Sequence, residues 1–290
     1  MNIGVIGAGS IGLLVSYYLG REHQVHVYVN REEQKDGLSR NGITCLPKED
    51  PTSVQAHLTN EGYHNHDVLI VTVKQSHLDD VLVTDLPDGT PVLFLQNGMG
   101  HVEKVQTACD VPWVGVVEHG ALKMGDTEVH HTGKGKIAIA SIAPDERITE
   151  TAASLNTNDF PIEFHEDYYD MLSSKLVVNT VINPLTALFG LKNGSILTNP
   201  YINELAEKLC EEACSVLERS FSYEWNRLQK IADNTKANQS SMLKDIIEGR
   251  RTEIDAISGY IIEKGGHPVP YHRFIVKAIH ALEAENRRDL

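Results

Sequence analysis

Residues 2–19 read NIGVIGAGSIGLLVSYYL, a short apolar run, a glycine-rich loop and a second apolar run. The loop has the spacing G-x-G-x-x-G between a predicted strand and a predicted helix. In that setting the first glycine makes the tight turn, the second lets backbone approach a pyrophosphate and the third packs helix on strand. The stretch predicts a Rossmann-type dinucleotide site at Gly7, Ala8, Gly9, Ser10, Ile11 and Gly12, the alternative being a purely structural turn.

The rest of the chain divides into two patterns. Short apolar runs alternate with polar, helix-like segments at Ile3–Ile6, Val25–Val29, Val68–Val73, Val92–Leu95, Val114–Val117 and Ile137–Ala140. From about Asp167 onward helical periods dominate, near 167–189, 200–221, 236–264 and 271–286. Alternating strands and helices favour a parallel sheet with crossover helices. We predict an α/β fold, with an N-terminal Rossmann-type dinucleotide-binding domain (1–165) followed by an all-α C-terminal domain (166–290) for substrate binding and catalysis.

Composition excludes several classes of partner. The 290 residues include 26 Lys and Arg against 40 Asp and Glu, a net charge of −14. Because no stretch concentrates enough cations to neutralise a run of phosphates, the sequence predicts no nucleic-acid or membrane partner. No apolar run reaches the ~18 residues of a membrane span. The four cysteines lack metal-site or disulfide spacing, so we expect a cytoplasmic protein without a metal, with Cys210 and Cys214 in the core.

The end of the second predicted strand bears on cofactor choice. NAD-specific sites usually place an acid there for the ribose 2′-hydroxyl, whereas this chain has Asn30 and Arg31. A guanidinium can pair with a 2′-phosphate, which predicts NADP(H) and a cofactor contact by Arg31. Lys74 and Asn97 follow later strands, where ligands of open α/β sheets gather, although a solvated lysine and an ordinary Asn-Gly turn are the alternatives.

A polar row interrupts the first predicted C-terminal helix. Lys175, Asn179 and Asn183 are four apart and therefore lie on one side of a helix. The remaining surface is largely apolar, formed by Leu176, Val177, Val178, Val181 and Ile182. Such a helix should be mostly buried, and buried ammonium and amide groups need polar partners. A ligand in an interdomain cleft would supply them, and so would a structural hydrogen-bond network.

A carboxylate stands out on the helix predicted over 236–264. At ~100° per residue, Glu253 falls within its apolar sector, so it needs a cationic partner or a role. An ion pair with Arg250, or a distortion near Gly249 that turns Glu253 outward, would be structural explanations. Ser241 lies ~120° from Glu253 on a straight helix, so both could line one site only if the helix bends or the site is wide.

Together these blocks resemble the ketopantoate reductase (2-dehydropantoate 2-reductase) family. The matching motifs are GAGSIG (7–12), TVK (72–74), QNGMG (96–100), EHGA (118–121), KLVVNTVINPLTA (175–187), NG (193–194), NQSSML (238–243) and RRTEID (250–255). The resemblance covers nearly the whole chain. It departs at Glu118 and Gly120, where the family usually has small residues beside the histidine.

The resemblance implies roles for individual residues. Lys175 would be the catalytic acid, and Glu253 an acidic residue beside cofactor and substrate. The keto acid would be held by Lys175, Asn179, Asn183, Asn193, Asn238 and Ser241, and NADPH by Gly7–Gly12, Arg31, Lys74, Asn97, Ala121 and Glu253. The implied reaction is reduction of ketopantoate to pantoate, a precursor of coenzyme A. A reductase of another branched 2-keto acid and an inactive NADP(H) sensor are the alternatives, and a homodimer does not follow from the sequence.

Overall fold

The computed structural model describes residues 1–286. The chain forms two compact units. The first contains Met1–Gln96 and His101–Met171, and the second contains Asn97–Gly100 and Leu172–Leu290. No helix within the described residues is long and apolar enough to cross a membrane, and the same residues contain no group of three or more His, Cys, Asp or Glu side chains suited to a metal ion.

The strands all belong to the first unit. They are β1 (Asn2–Ile6), β2 (Gln24–Val29), β3 (Ile43–Leu46), β4 (Lys48–Thr52), β5 (Gln55–Leu58), β6 (Val68–Val71), β7 (Val92–Phe94), β8 (Pro112–Val117), β9 (Gly120–Lys123), β10 (Glu128–Gly133), β11 (Ile137–Ser141) and β12 (Ile162–Phe164). Eight form one sheet in the order β12-β11-β8-β7-β6-β1-β2-β5, parallel except between β8 and β11. This Rossmann-like sheet confirms the predicted α/β fold.

A second sheet was not predicted. Its order is β4-β3-β10-β9, and β10 pairs in parallel with β3, far away in sequence. The sheet packs on α1 (Ser10–Leu19), whose residues 12–19 are all buried. An apolar helix buried all round is expected when it lies between two layers. The hairpin between β9 and β10 belongs to this sheet.

Four more helices complete the first unit: α2 (Glu32–Asn41), α3 (Leu78–Leu82), α4 (Val102–Ala108) and α5 (Arg147–Leu155). The helices that follow are α6 (Tyr168–Phe189), α7 (Ser195–Thr198), α8 (Pro200–Val216), α9 (Phe221–Asn234), α10 (Ser241–Ile247), α11 (Tyr260–Lys264) and α12 (Pro270–Asn286), with a π-helical turn at Asp255–Gly259. The predicted all-α character of this part is confirmed. Cys210 and Cys214 are buried on α8, their Sγ atoms 4.0 Å apart.

Two predicted helices were wrong in extent. The helix expected over 200–221 ends at Val216, and α9 begins only at Phe221. The helix expected over 236–264 is broken, because Gly249 adopts φ +65° after α10. Positive φ ends a right-handed helix. The angular argument that placed Glu253 and Ser241 on one straight helix therefore does not apply.

Candidate active site

The glycine loop has the geometry that a close backbone approach requires. Gly7 has φ +98°, a conformation that side chains rarely adopt. A Cβ on Gly12 would lie 1.9 Å from the carbonyl oxygen of Gly7, so only glycine lets α1 pack this tightly. At Gly9, by contrast, a Cβ would meet no heavy atom of residues 1–286 within 4 Å. The loop is thus tight toward the protein and open outward at the start of α1, an arrangement that fits a pyrophosphate.

Thr72 braces this loop from the end of β6. Its hydroxyl lies 3.0 Å from the carbonyl oxygen of Ile6 and 2.9 Å from that of Gly7, and donates to this pair. A Cβ on Gly12 would also come within 2.6 Å of the Thr72 hydroxyl. The sequence alone does not predict this role for Thr72, since a threonine at a strand end carries no spacing signal.

Arg31 lies at the N-cap of α2, two residues beyond the end of β2, and is paired within the first unit. Its guanidinium contacts the carboxylate of Asp126, in the turn between β9 and β10. The ammonium of Lys123 lies 3.3 Å from the same carboxylate oxygen. This hydrogen bond from Arg31 lowers the pKa of Asp126 below its ordinary value. Three charged side chains, all at least partly exposed, therefore meet near the end of β2.

Gln34 ties this charged group to the glycine loop. Its buried side-chain amide donates to the carbonyl oxygens of Ala8 (3.1 Å) and Asp126 (3.0 Å). The hydroxyl of Ser10 accepts from the backbone N–H of Lys123 at 3.2 Å. The hairpin turn, the glycine loop and α2 thus form one hydrogen-bonded assembly. Sequence reasoning missed Gln34, Lys123 and Asp126, because the second sheet brings them together from distant positions.

The remaining predicted cofactor residues of the first unit are Lys74 and Ala121. Lys74 is exposed in the loop after β6, which ends at Val71 rather than at the predicted Val73. Ala121 is partly buried in β9, opposite His131 of β10. Neither residue has been placed against a ligand, so their cofactor roles remain predictions.

In the second unit, Asn97 and Glu253 are brought together. The side-chain amide of Asn97 donates to a carboxylate oxygen of Glu253 at 2.9 Å. Gly98 has φ +83°, and a Cβ there would lie 2.1 Å from the carbonyl oxygen of Ala256. Only glycine allows this loop to approach the π-helical turn so closely. The Asn-Gly pair therefore has a local structural reason as well as a candidate role.

Glu253 lies between two anchored neighbours. The N–H of Thr252 donates to Glu283 at 2.7 Å, and the ring of His280 bridges Glu283 (3.0 Å) and Asp255 (2.9 Å). Burial alone would lower the pKa of His280, but its hydrogen bonds to Glu283 and Asp255 outweigh burial and raise it. The backbone on both sides of Glu253 is thereby held in place.

The polar row on α6 is as the sequence predicted. Within the stretch 171–187 every residue is buried except Lys175, Asn179 and Asn183, which are partly exposed. The helix therefore presents one polar strip, made of an ammonium and two amides, on an otherwise apolar surface. Such a strip can donate several hydrogen bonds to a carboxylate or carbonyl oxygen.

Asn193 and Asn238 lie in loops, and Ser241 begins α10. Asn193 is buried, donates its amide to Thr235 at 3.0 Å and has a buried side-chain oxygen that no donor in the described chain reaches. Its backbone N–H donates to the carbonyl of Asn238. Ser241 is the exposed first residue of α10, whereas its neighbour Ser240 caps the helix by accepting from the Leu243 N–H at 3.1 Å. The exposed serine keeps its hydroxyl outside the cap.

A buried ion cluster lies directly behind the start of the row. The carboxylate of Glu224 is fully buried and accepts from Arg219 at 2.6 Å and from the Ser174 hydroxyl at 3.3 Å. Arg219 also donates to Ser173, and Arg227 to the Ser174 carbonyl oxygen, both at 2.9 Å. The cluster therefore fixes the two residues that precede the lysine of the row. No local pattern in the sequence predicts this cluster, because its members come from separate segments of the chain.

The chain combines a Rossmann-like unit with a helical unit, and comparison with known proteins shows its family and enzyme class. The family model "Ketopantoate reductase PanE/ApbA" matches residues 3–144, and its C-terminal counterpart matches residues 167–283. A 2-dehydropantoate 2-reductase of Bacillus subtilis is 39% identical over 99% of both chains, and one of Pyrococcus horikoshii is 30% identical over 91% of this chain and 90% of its own. The chain belongs to the ketopantoate reductase family and is an oxidoreductase.

Solved structures agree at the level of the fold. The structure of a probable 2-dehydropantoate 2-reductase from Bacillus subtilis has 38% sequence identity and a TM-score of 0.88, covering 97% of this chain and all of its own. A ternary structure of D-mandelate dehydrogenase with NADH and anilino(oxo)acetate has 21% identity and a TM-score of 0.92 over 99% of this chain and 100% of its own. The latter likeness shows a shared fold alone.

Proposed function

We propose that this protein reduces 2-dehydropantoate (ketopantoate) to pantoate with NADPH, a step toward pantothenate and coenzyme A. The observation that carries the proposal is the polar strip of Lys175, Asn179 and Asn183 on an otherwise buried helix. An ammonium with two amides in line offers donors for both oxygens of a carboxylate and for the adjacent keto oxygen. Family membership supports this substrate.

Each side chain would have a defined task. The bound nicotinamide would supply a hydride to the keto carbon. Lys175 would give a proton to the carbonyl oxygen, so that one hydride and one proton convert the ketone to an alcohol. Asn179 and Asn183 would orient the keto acid, with Asn193, Asn238 and Ser241 as further hydrogen-bond partners. Glu253, held by Asn97 at 2.9 Å, would contact cofactor and substrate.

The first unit would bind the dinucleotide. The open face of Gly9 at the start of α1 would face the pyrophosphate, with Lys74 and Ala121 as further contacts. Arg31 would pair with the 2′-phosphate, since a guanidinium matches phosphate oxygens in a bidentate manner. NADPH is therefore the proposed reductant.

A substrate panel tests the proposal. We expect loss of NADPH absorbance with ketopantoate at a kcat/KM far above that with pyruvate, oxaloacetate or 2-ketoisovalerate. A site that hydrogen-bonds a hydroxyl rejects analogues lacking it by up to ~10⁴–10⁵-fold, and 2-ketoisovalerate lacks the hydroxymethyl group of ketopantoate and with it the terminal hydroxyl. Ser241→Ala should narrow this ratio if Ser241 contacts that hydroxyl. Equal kcat/KM for ketopantoate and 2-ketoisovalerate would contradict the assigned substrate.

The same panel separates the alternatives. A preference for another branched 2-keto acid would keep the reaction and change the substrate. Binding of NADPH with no turnover of any keto acid would identify an inactive sensor, because a fold alone does not establish catalysis.

A further inference from the structure

Asp126 supplies a carboxylate at the place where the end of β2 lacks one. Arg31 lies two residues after the end of β2, and its guanidinium is paired with Asp126 of the β9–β10 turn. Lys123 lies 3.3 Å from the same carboxylate. The side chains of Arg31, Asp126 and Lys123 are 52%, 39% and 32% exposed, so solvent and a ligand can reach the group.

The position of this turn is fixed rather than incidental. Gln34, which is buried, holds the Asp126 carbonyl at 3.0 Å and the Ala8 carbonyl at 3.1 Å with a single amide. Ser10 of the glycine loop accepts from the backbone of Lys123. The turn is thus built against the loop that would receive the pyrophosphate. Any nucleotide bound there has its adenosine ribose near the end of β2.

Two ligand chemistries would use this group differently. A 2′-phosphate is an anion that competes with Asp126 for both cations, and it meets repulsion from a carboxylate that stays ionised. A free 2′-hydroxyl is a hydrogen-bond donor that a carboxylate can accept while the ion pair persists. The Asp126 carboxylate therefore weakens binding of a nucleotide that carries a 2′-phosphate and favours binding of one with a free 2′-hydroxyl.

We propose that Asp126 and Lys123 are cofactor-selecting residues: Asp126 occupies the cations Arg31 and Lys123 in place of a 2′-phosphate and narrows the preference for NADPH over NADH. The proposal rests on the nucleotide site proposed above. It adds a second residue to that site. Arg31 alone predicts a preference for NADPH over NADH, whereas the pair of Arg31 and Asp126 predicts that this preference becomes stronger when Asp126 is removed.

Binding of adenosine nucleotides tests this without catalysis. Calorimetric titration of the full-length protein would compare adenosine 2′,5′-bisphosphate with 5′-AMP, in the wild type and in Asp126→Asn. Asparagine keeps the shape and can still accept from Arg31, but it removes the charge. We expect the ratio of Kd for AMP to Kd for the bisphosphate to rise about three- to tenfold, the scale of an exposed ion pair plus like-charge repulsion. This difference in the Kd ratio between the wild type and Asp126→Asn should become smaller at high salt, because salt screens charges that are exposed to solvent.

A matched control removes a similar charge elsewhere. Glu163 on β12 pairs with Lys136 at 2.6 Å and is comparably exposed, at the opposite edge of the sheet from β2. Glu163→Gln should leave the ratio unchanged. Lys123→Gln should lower it, because the phosphate loses one of two cations. Thermal unfolding of each variant confirms that it is folded, and Lys123→Gln keeps the test available if Asp126→Asn does not fold.

The outcomes are distinct. An unchanged or lower ratio in Asp126→Asn, or an unchanged ratio in Lys123→Gln, would overturn the selecting role and leave the nucleotide site standing. Failure of both nucleotides to bind the wild type would overturn the nucleotide site itself and this proposal with it. Neither result bears on the identity of the keto acid, which the substrate panel decides.

Discussion

Lys175 is the single residue on which the proposed chemistry depends most. It is partly exposed at the head of the α6 strip, and the residues before it are fixed by Arg219 and Glu224. We expect Lys175→Ala to keep NADPH affinity and to lower kcat by at least ~10²–10⁴-fold, the contribution that a general acid usually makes. Stopped-flow turnover and fluorescence titration of NADPH measure the two quantities separately.

The control for this variant is Lys230→Ala, which removes an exposed lysine from α9. Its kcat should match that of the wild type. Near-normal kcat in Lys175→Ala would assign the lysine a structural role instead. Loss of NADPH binding together with kcat would also contradict the separation of tasks proposed for the two units.

At the scale of the helix, the buried ion cluster predicts a large effect on stability. Removing Glu224 leaves the guanidinium of Arg219, which is mostly buried, without its carboxylate, and breaking a buried ion pair typically costs about 3–5 kcal/mol. We expect Glu224→Ala to lower the free energy of unfolding by that amount in urea titrations. Glu211, paired with Lys208 at 2.8 Å on the surface of α8, is the matched control, and Glu211→Ala should cost less than about 1 kcal/mol. If Glu224→Ala lowers the free energy of unfolding no more than Glu211→Ala does, the buried cluster contributes little to stability.

Helices and strands whose apolar residues recur at the helical or the strand period, or form one short run, were predictable from the sequence. The strands β1, β2, β6, β7, β8 and β11 and the helices α6 and α12 each have such a pattern, and all were expected close to where they lie. The row of Lys175, Asn179 and Asn183 was predictable for the same reason, since helical periodicity places residues four apart on one side.

Elements whose stability comes from distant partners were not predictable. The strands β4 and β10 read KEDPT and EVHHTG, with little apolar alternation, and are specified by pairing with β3. The end of α8 is marked by Glu218 at φ 54°, where glycine would have been the usual signal. The contacts Asn97–Glu253 and Arg31–Asp126 join residues 156 and 95 positions apart, and no local pattern encodes such pairs.

For the molecule as a whole, three buried histidines contribute to the loss of stability in acid. Burial lowers the pKa values of His66, His101 and His119 from 6.5 to about 4. Between pH 6.5 and about 4 the unfolded chain binds protons at these sites and the folded chain does not. These three histidines therefore do not reduce the free energy of unfolding above pH 6.5. As the pH drops toward 4, each of them lowers it by up to about 1.4 kcal/mol per pH unit. Thermal unfolding measured between pH 7 and 4 should therefore show a Tm that decreases as the pH is lowered.

His101 provides the variant for this test. Both of its ring nitrogens are buried, and neither has a hydrogen-bond partner among residues 1–286. Leucine at this position cannot bind a proton, so His101→Leu should reduce the slope of stability against pH while changing little above pH 7. If stability falls equally steeply with decreasing pH in the wild type and in the variant, residues other than His101 cause the loss of stability in acid.

Residues Asn97–Gly100 belong to the second unit although the chain on both sides of them belongs to the first. During translation Asn97 is made long before Glu253, so its amide cannot reach its partner until residues 98–252 have also been synthesised. A gene fragment that starts at Leu172 would encode the helices but omit that amide. The point where the chain passes between units is therefore a poor place to cut it, and a fragment meant to retain an intact Glu253 environment has to carry residues 97–100 grafted in from upstream.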